Sequence, residues 1–158
     1  MLNNRALVAD ERGDLAGSSA LLQQSLAMRE RALGGRDHPL LVMALTGLAQ
    51  TALRLDRTEE GLALAARGEE MAVRIYPQPH RTRVFAIAMH AAALINSRRF
   101  VDAGEATTRA EAALAEMAEP PEDLAAFVPS LRHELCKRPR DPAVPSCAGI
   151  EPTEPPLE

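Results

Sequence analysis

Residues 2–39 decide the fold, and they read LNNRALVADERGDLAGSSALLQQSLAMRERALGGRDHP. Apolar and small side chains recur at helical spacing through residues 2–12 and again through residues 15–33. Gly13 stands where a glycine ends a helix, and Asp14 stands where a carboxylate caps the next one. The stretch therefore predicts two helices joined by a tight turn.

The loop after the second helix carries its own signals. Gly34-Gly35 stops that helix, and Asp37 is expected to cap the next helix, with Pro39 in its first turn. His38 and His80 occupy equivalent loop positions. We expect both histidines to have a structural role in closing the loop between one helix pair and the next.

Small residues recur in step along the chain, because residues 40–80 and 81–118 repeat the plan of residues 2–39. The copies are 43 and then 42 residues apart, and three positions in each copy keep offsets of 12 and 19. All nine positions hold Ala, Gly or Ser: Ala6, Ser18, Ser25, Ala49, Gly61, Gly68, Ala91, Ala103 and Ala110. Since two helices touch backbone to backbone only where side chains are small, we predict helix contacts at these positions.

The composition favours an all-α protein without a catalytic centre. The chain has no Trp, one Tyr and three Phe, and good helix formers dominate it. Its net charge of −4 comes from interspersed charges of both signs, so no basic face for nucleic acid is expected. No phosphate-binding loop and no nucleophile motif occurs, and we expect neither enzymatic activity nor a cofactor.

Several features predict a location and a source. No run of apolar residues is long enough for a membrane helix, and no secretory signal is recognisable. Cys136 and Cys147 lie outside the repeats, which need no disulfide framework, so a reducing cytoplasm is expected. Seventeen of the eighteen basic residues are Arg, which is typical of a GC-rich genome and predicts a bacterial source.

Residues 2–39 resemble the 42-residue tetratricopeptide repeat of the kinesin light chain type. That family's pattern runs LNNLA, a GRYxEA turn, LxxRALxIREKxLG and DHP, and the first copy matches it nearly throughout. The second and third copies keep fewer of these residues, and the family usually has Leu where this chain has Arg5 and His90. The resemblance implies a right-handed superhelical solenoid of antiparallel helix pairs.

The resemblance also implies a function, since the first helix of each pair lines a concave groove that binds a peptide or helix of a partner. The groove positions in this sequence are Asn3, Asn4, Leu7, Glu11, Met43, Thr46, Gln50, Arg54, Phe85, Met89 and Asn96. The alternative is that these residues pack against a neighbouring array or a second copy. A further alternative is that the chain is the C-terminal sensor array of a split signalling protein, such as a tetratricopeptide-bearing kinase or nucleotide-binding regulator.

The chain is predicted to divide into three parts. Residues 1–118 form three helix pairs (about 1–39, 40–80 and 81–118), residues 119–138 form a capping helix that Pro129 kinks or splits, and residues 139–158 form a disordered Pro-rich tail. No capping segment precedes the first repeat. The chain is therefore expected either to continue a longer array or to self-associate through its N-terminal edge.

The remaining candidate ligands do not form a convincing metal site. His133 and Cys136 are three residues apart on a predicted helix, and Cys147 follows at a distance in sequence. A structural zinc site needs four ligands at tighter spacing, so we expect no metal. His90 takes the place of a core Leu, and we expect it to be a half-buried packing residue.

Overall fold

The structure is a computed structural model that describes residues 2–137 and residue 147. These residues form seven α-helices and no strand: α1 (Leu2–Glu11), α2 (Leu15–Leu33), α3 (Pro39–Arg54), α4 (Thr58–Ile75), α5 (Arg81–Asn96), α6 (Phe100–Ala115) and α7 (Glu122–Lys137). The prediction of an all-α fold built from helix pairs is confirmed. Among the described helices, none combines the length and the apolar content needed to cross a bilayer.

The chain forms two compact units, a first unit at Met1–Pro77 and a second unit at Gln78–Glu158. In the first unit, α2 packs on both α1 and α3, and α4 packs on α3. Arg29 in α2 donates from Nη1 to the carbonyl oxygen of Leu40 at the start of α3 (2.9 Å), while Leu22 lies beside Gly47 further along α3. Because the earlier residue of α2 meets the later residue of α3, the two helices are antiparallel.

The small residues that recur in step are all buried. The reason is visible between α3 and α4, where a Cβ added to Gly61 would lie 2.8 Å from Cδ2 of Leu53 and 3.3 Å from the carbonyl oxygen of Ala49. A Cβ added to Gly68 would lie 3.3 Å from Cγ2 of Thr46. The predicted helix contact is therefore confirmed for this pair, since glycine permits a backbone approach that a larger residue would block.

Turn and cap residues set where the helices begin. Gly13 adopts a positive φ of 79°, and the Asp14 carboxylate accepts a hydrogen bond from the Gly17 N–H (2.8 Å), as predicted. His38 and His80 cap α3 and α5, because each Nδ1 accepts from the backbone N–H two residues later (3.1 Å in both loops). Their predicted structural role is confirmed, whereas the prediction that Asp37 caps α3 is wrong.

In the second unit, α7 packs against both α5 and α6. Its apolar stripe of Leu124, Val128, Leu131 and Leu135 is buried. Arg132 fixes the helix further by donating from Nε and Nη2 to the two carboxylate oxygens of Glu111 in α6 (3.0 and 2.5 Å). Because both carboxylate oxygens of Glu111 are bonded, this contact fixes the rotation of α7 about its axis as well as its distance from α6.

Helix α7 continues through Pro129, so of the two predicted outcomes, a kink or a split, the split is wrong. The kink stays a prediction. Proline removes one backbone hydrogen bond, to the carbonyl of Ala125 four residues earlier. Both Ala125 and Pro129 are exposed, and water can reach the carbonyl that the proline leaves unbonded.

The structure joins Cys136 at the end of α7 to Cys147 in a disulfide, with Cα atoms 5.5 Å apart. The sequence predicts that the repeats need no disulfide framework, and this bond lies outside them. The predicted disordered tail at 139–158 lies outside the described residues, except for Cys147. The right-handed superhelix stays a prediction.

Candidate interaction surface

The surface of α3 divides into faces that follow the helical period. Helix α4 meets Ala49 and Leu53 on one side, and Leu41, Leu48 and Ala52 are buried on another. The exposed residues of α3 are Leu40, Met43, Gln50 and Arg54. Three of these four were predicted as groove positions. The stripe of Met43, Gln50 and Arg54 is therefore exposed along α3, and Leu40 is exposed in its first turn.

Helix α1 presents the equivalent stripe one repeat earlier. Asn4, Leu7 and Glu11 are exposed, and the side chain of Asn3 lies outside the described part of the chain. Arg54 in α3 forms an ion pair with Asp10 in α1. Because both residues belong to the last turns of their helices, this pair brings the C-terminal ends of α1 and α3 together.

Two predicted groove residues in other positions are buried. The Thr46 hydroxyl donates to the carbonyl oxygen of Val42 (2.9 Å), and its methyl group faces Gly68 of α4. Met89 in α5 is also buried. Neither side chain offers surface to a partner, because helix rotation turns both positions towards the core of their units.

The remaining predicted positions lie on α5 in the second unit. Phe85 is half-buried, and its ring centroid is 6.2 Å from that of Phe127 in α7. Asn96 is exposed, although its side-chain amide donates to the carbonyl oxygen of Ala92 (2.9 Å). The predicted residues of α1 and α3 thus belong to the first unit, where the Asp10–Arg54 ion pair joins the two helices, while those of α5 belong to the other unit.

A polar ladder that joins α2 and the loop before α3 to α4 was not predicted. We define it as three contacts in the first unit: Gln23 with Glu60 (3.3 Å), Glu30 with Arg67 (2.5 Å) and Asp37 with Arg74 (2.6 Å). Each step advances seven residues on both sides, which is two helical turns. The constant spacing is the sequence signal from which the ladder could have been predicted, since the two partners of each contact are 37 residues apart.

The last contact of the ladder has an electrostatic consequence. Arg74 grips both carboxylate oxygens of Asp37, from Nε at 2.6 Å and from Nη2 at 3.1 Å. These hydrogen bonds, aided by the charge of Arg74, lower the pKa of Asp37 below its ordinary value of 3.8. The same contact raises the pKa of Arg74. The pair fastens the loop before α3 to the last turn of α4.

The described residues contain no group of three or more His, Cys, Asp or Glu side chains that could hold a metal ion. Cys136 is bonded to Cys147, so its sulfur is not a thiolate ligand beside His133.

Helical hairpins joined in series define the class as an all-α helical-repeat protein. Residues 1–40, about a quarter of the chain, match a family model described as Tetratricopeptide repeat. The first helix pair therefore carries a tetratricopeptide repeat. No curated protein matches the chain in sequence. Tetratricopeptide repeats are in general non-enzymatic and mediate contacts between proteins, so the repeat at residues 1–40 suggests a protein-interaction module.

Proposed function

We propose that the first unit binds a peptide or an amphipathic helix of a partner protein along the exposed stripe of α1 and α3. We call this stripe the groove surface and define it by Asn4, Leu7, Glu11, Met43, Gln50 and Arg54. The observation that carries the proposal is the exposure of Leu7 and Met43, which are 59% and 56% accessible. Large apolar side chains exposed on adjacent helices favour a partner with apolar residues of its own.

The polar residues of the groove surface support binding without a strict partner sequence. Asn4 and Gln50 each carry an amide that both donates and accepts hydrogen bonds, which suits the backbone of an extended peptide. The ion pair with Asp10 holds the Arg54 side chain in place, so its guanidinium group is a positionally fixed charge on the groove surface. Leu7 and Met43 then supply the apolar anchors, as in other groove-binding modes.

The proposal concerns a protein partner. The chain has a net charge of −4, and four of the arginines in the first unit are engaged with carboxylates of the same unit, as Arg54, Arg57, Arg67 and Arg74 show. A nucleic-acid surface would instead need a continuous field of unpaired cations. We therefore do not expect nucleic acid to be the ligand of the groove surface.

A bacterial source, the kinesin light chain subtype and a cytoplasmic location stay predictions. The cytoplasmic location was predicted partly because the helical repeats need no disulfide framework, whereas the structure joins Cys136 to Cys147 outside the repeats. Disulfides persist chiefly in oxidising compartments, so this bond weighs against that location.

Selection of peptides from a random library on the full chain tests the proposed function. A selected peptide should bind the variant Leu7→Glu/Met43→Glu at least about tenfold more weakly, because two apolar anchors become charged. The matched control is Val101→Glu, an exposed valine of α6 outside the groove surface. Equal affinity of the peptide for the groove variant and the unaltered chain would refute the proposal, provided that both show the same helicity.

A further inference from the structure

A second face of α1 stands out when the first repeat is compared with the second. Moving back by 43 residues from Leu48, Thr51 and Ala52 of α3, and from Leu55 directly after it, leads to Arg5, Val8 and Ala9 of α1 and to Arg12 directly after that helix. In α3 the first three of these residues are buried. We call the equivalent residues of the first repeat the edge face.

Helix α2 is what covers this part of α3. The opposite side of α3 is taken by α4, which meets Ala49 and Leu53. Helix α2 approaches from the other side, where Leu22 lies beside Gly47 and Arg29 bonds to the carbonyl oxygen of Leu40. The fold therefore uses this face of a first helix to receive an antiparallel helix.

The edge face of α1 is open in the structure. Val8 is 43% accessible, and Arg5 and Arg12 are exposed. Together with Leu21 of α2, these residues line a concavity of about 430 Å³. Val8 and Ala9 form an apolar floor like the buried face of α3. The flanking residues differ between the two repeats, because Arg5 and Arg12 are charged whereas the equivalent Leu48 and Leu55 are apolar.

The charge of the edge face identifies the kind of helix that would fit. Arg5 and Arg12 stand where the second repeat has Leu48 and Leu55. Arg12 directly follows the last residue of α1, and seven residues at the helical rise place the two arginines about 10 Å apart. Neither guanidinium group has an ion-pair or hydrogen-bond partner among the described residues. The nearby carboxylate of Asp14 is engaged with the Gly17 N–H.

We propose that the edge face binds an acidic amphipathic helix of a partner protein. That helix lies antiparallel to α1, as α2 lies on α3. It places small apolar side chains over Val8 and Ala9 and two carboxylates, seven residues apart, against Arg5 and Arg12. A second copy of this chain does not supply such a helix from its described residues, since none of the seven helices there has exposed carboxylates seven residues apart.

The edge face is separate from the groove surface, although Asn4 borders both. On α1 the groove surface contains Leu7 and Glu11, whereas the edge face contains Arg5, Val8 and Arg12. The two proposals therefore fail independently, because variants can alter one face and leave the other intact.

Fluorescence anisotropy with a labelled helical peptide tests the proposal on the full chain. The probe has the 19-residue length of α2, with Ala and Leu on one side and two Glu seven residues apart beside them. It should bind more weakly as salt rises, because exposed ion pairs are screened. The same peptide with Lys in place of Glu should bind at least about tenfold more weakly, since like charges then face each other.

Charge reversal in the protein completes the test. Arg5→Glu/Arg12→Glu should weaken the Glu peptide about tenfold and strengthen the Lys peptide. Arg31→Glu is the matched control, an exposed arginine of α2 that does not line the concavity. Neither that control nor Leu7→Glu/Met43→Glu should change the affinity for the Glu peptide.

Three results would overturn the proposal. The first is equal binding of the Glu and Lys peptides, and the second is an Arg5→Glu/Arg12→Glu variant with unaltered affinity for both. The third is a stable dimer of the chain that dissociates in this variant, because the edge face would then be occupied by a second copy.

Discussion

Gly61 offers the sharpest test of the close contact between α3 and α4, because two effects on stability oppose each other there. A Gly to Ala change inside an exposed helix is worth up to about 1 kcal/mol of added stability. The added methyl of Gly61→Ala, however, would lie 2.8 Å from Cδ2 and 2.9 Å from Cγ of Leu53, and 3.3 Å from the carbonyl oxygen of Ala49. Helix propensity and packing therefore predict opposite signs for the same substitution.

Packing should prevail at Gly61. The Cγ of Leu53 is not the free end of its side chain, so it moves only if the whole residue changes rotamer, and the carbonyl of Ala49 belongs to the backbone of α3. Overpacking of this kind costs about 1–3 kcal/mol. The net expectation for Gly61→Ala is a loss of about 1 kcal/mol, or roughly 3 °C in the midpoint of thermal unfolding.

Two other glycines supply matched controls. A Cβ on Gly47 meets only Cδ1 of Leu22 at 3.8 Å, an ordinary contact, so Gly47→Ala should stabilise the chain by up to about 1 kcal/mol. A Cβ on Gly68 would lie 3.3 Å from Cγ2 of Thr46, whose hydroxyl is bonded to Val42. The gain in helix propensity and the loss from the tight contact with Thr46 then nearly cancel. Gly68→Ala should therefore change the free energy of unfolding by less than about 0.5 kcal/mol.

Urea unfolding followed by circular dichroism measures all three variants on one scale. The expected order of stability is Gly47→Ala above Gly68→Ala above Gly61→Ala, with the unaltered chain near Gly68→Ala. A Gly61→Ala variant as stable as Gly47→Ala would refute the reasoning, since the helices would then be too far apart at Ala49 for the small residues to matter.

Three further predictions concern a cap, an ion pair and the cysteines. Arg57 begins α4 without a side-chain cap, in the position that Asp14 holds before α2, so Arg57→Asn should raise stability by about 1 kcal/mol in urea unfolding. The pKa of Asp37 is lowered by Arg74, so the pair stabilises the folded chain above the ordinary value of 3.8 and this contribution is lost as the pH falls through the lower folded value; NMR titration should show the Asp37 pKa rising towards its ordinary value in Arg74→Gln. Without reductant neither cysteine should react with a maleimide, and after reduction Cys147 should react first because its partner is buried; ready labelling of the untreated chain would contradict the disulfide.

The helix register could be predicted from the sequence because close helix packing requires small residues at regularly spaced positions. Small residues such as Ala49 and Gly61 are needed wherever two backbones approach, and that need repeats with the helix pairs. The turn between the two helices of a pair has a weaker sequence signal. Gly13 marks it in the first pair, but Asp56 and Arg98 adopt the same left-handed conformation, each with φ of 57°. A non-glycine residue there costs about 1–2 kcal/mol, which the packing of the flanking helices offsets.

Accessibility was harder to predict than register, because it depends on helix rotation. Thr46 and Met43 both belong to α3 and were both expected in the groove, yet three residues of separation turn Thr46 towards α4 and leave Met43 in water. The disulfide was unpredictable for another reason. Cys147 lies beyond the last helix, where no repeat constrains the path of the chain.

The allocation of faces on α3 explains why α1 has two separable surfaces. In each helix pair of this fold, the first helix packs one face against the second helix of the same pair. A second face packs against the preceding helix, and a stripe between these faces is exposed to water. On α3 all three are assigned, to α4, to Met43 and Gln50, and to α2. On α1 the first face packs on α2 through buried Ala6, which leaves Leu7 on the water stripe and Arg5 on the face that receives a helix. A ligand that tolerates Leu7→Glu but not Arg5→Glu must therefore lie on the edge face, and a ligand with the opposite tolerance must lie in the groove.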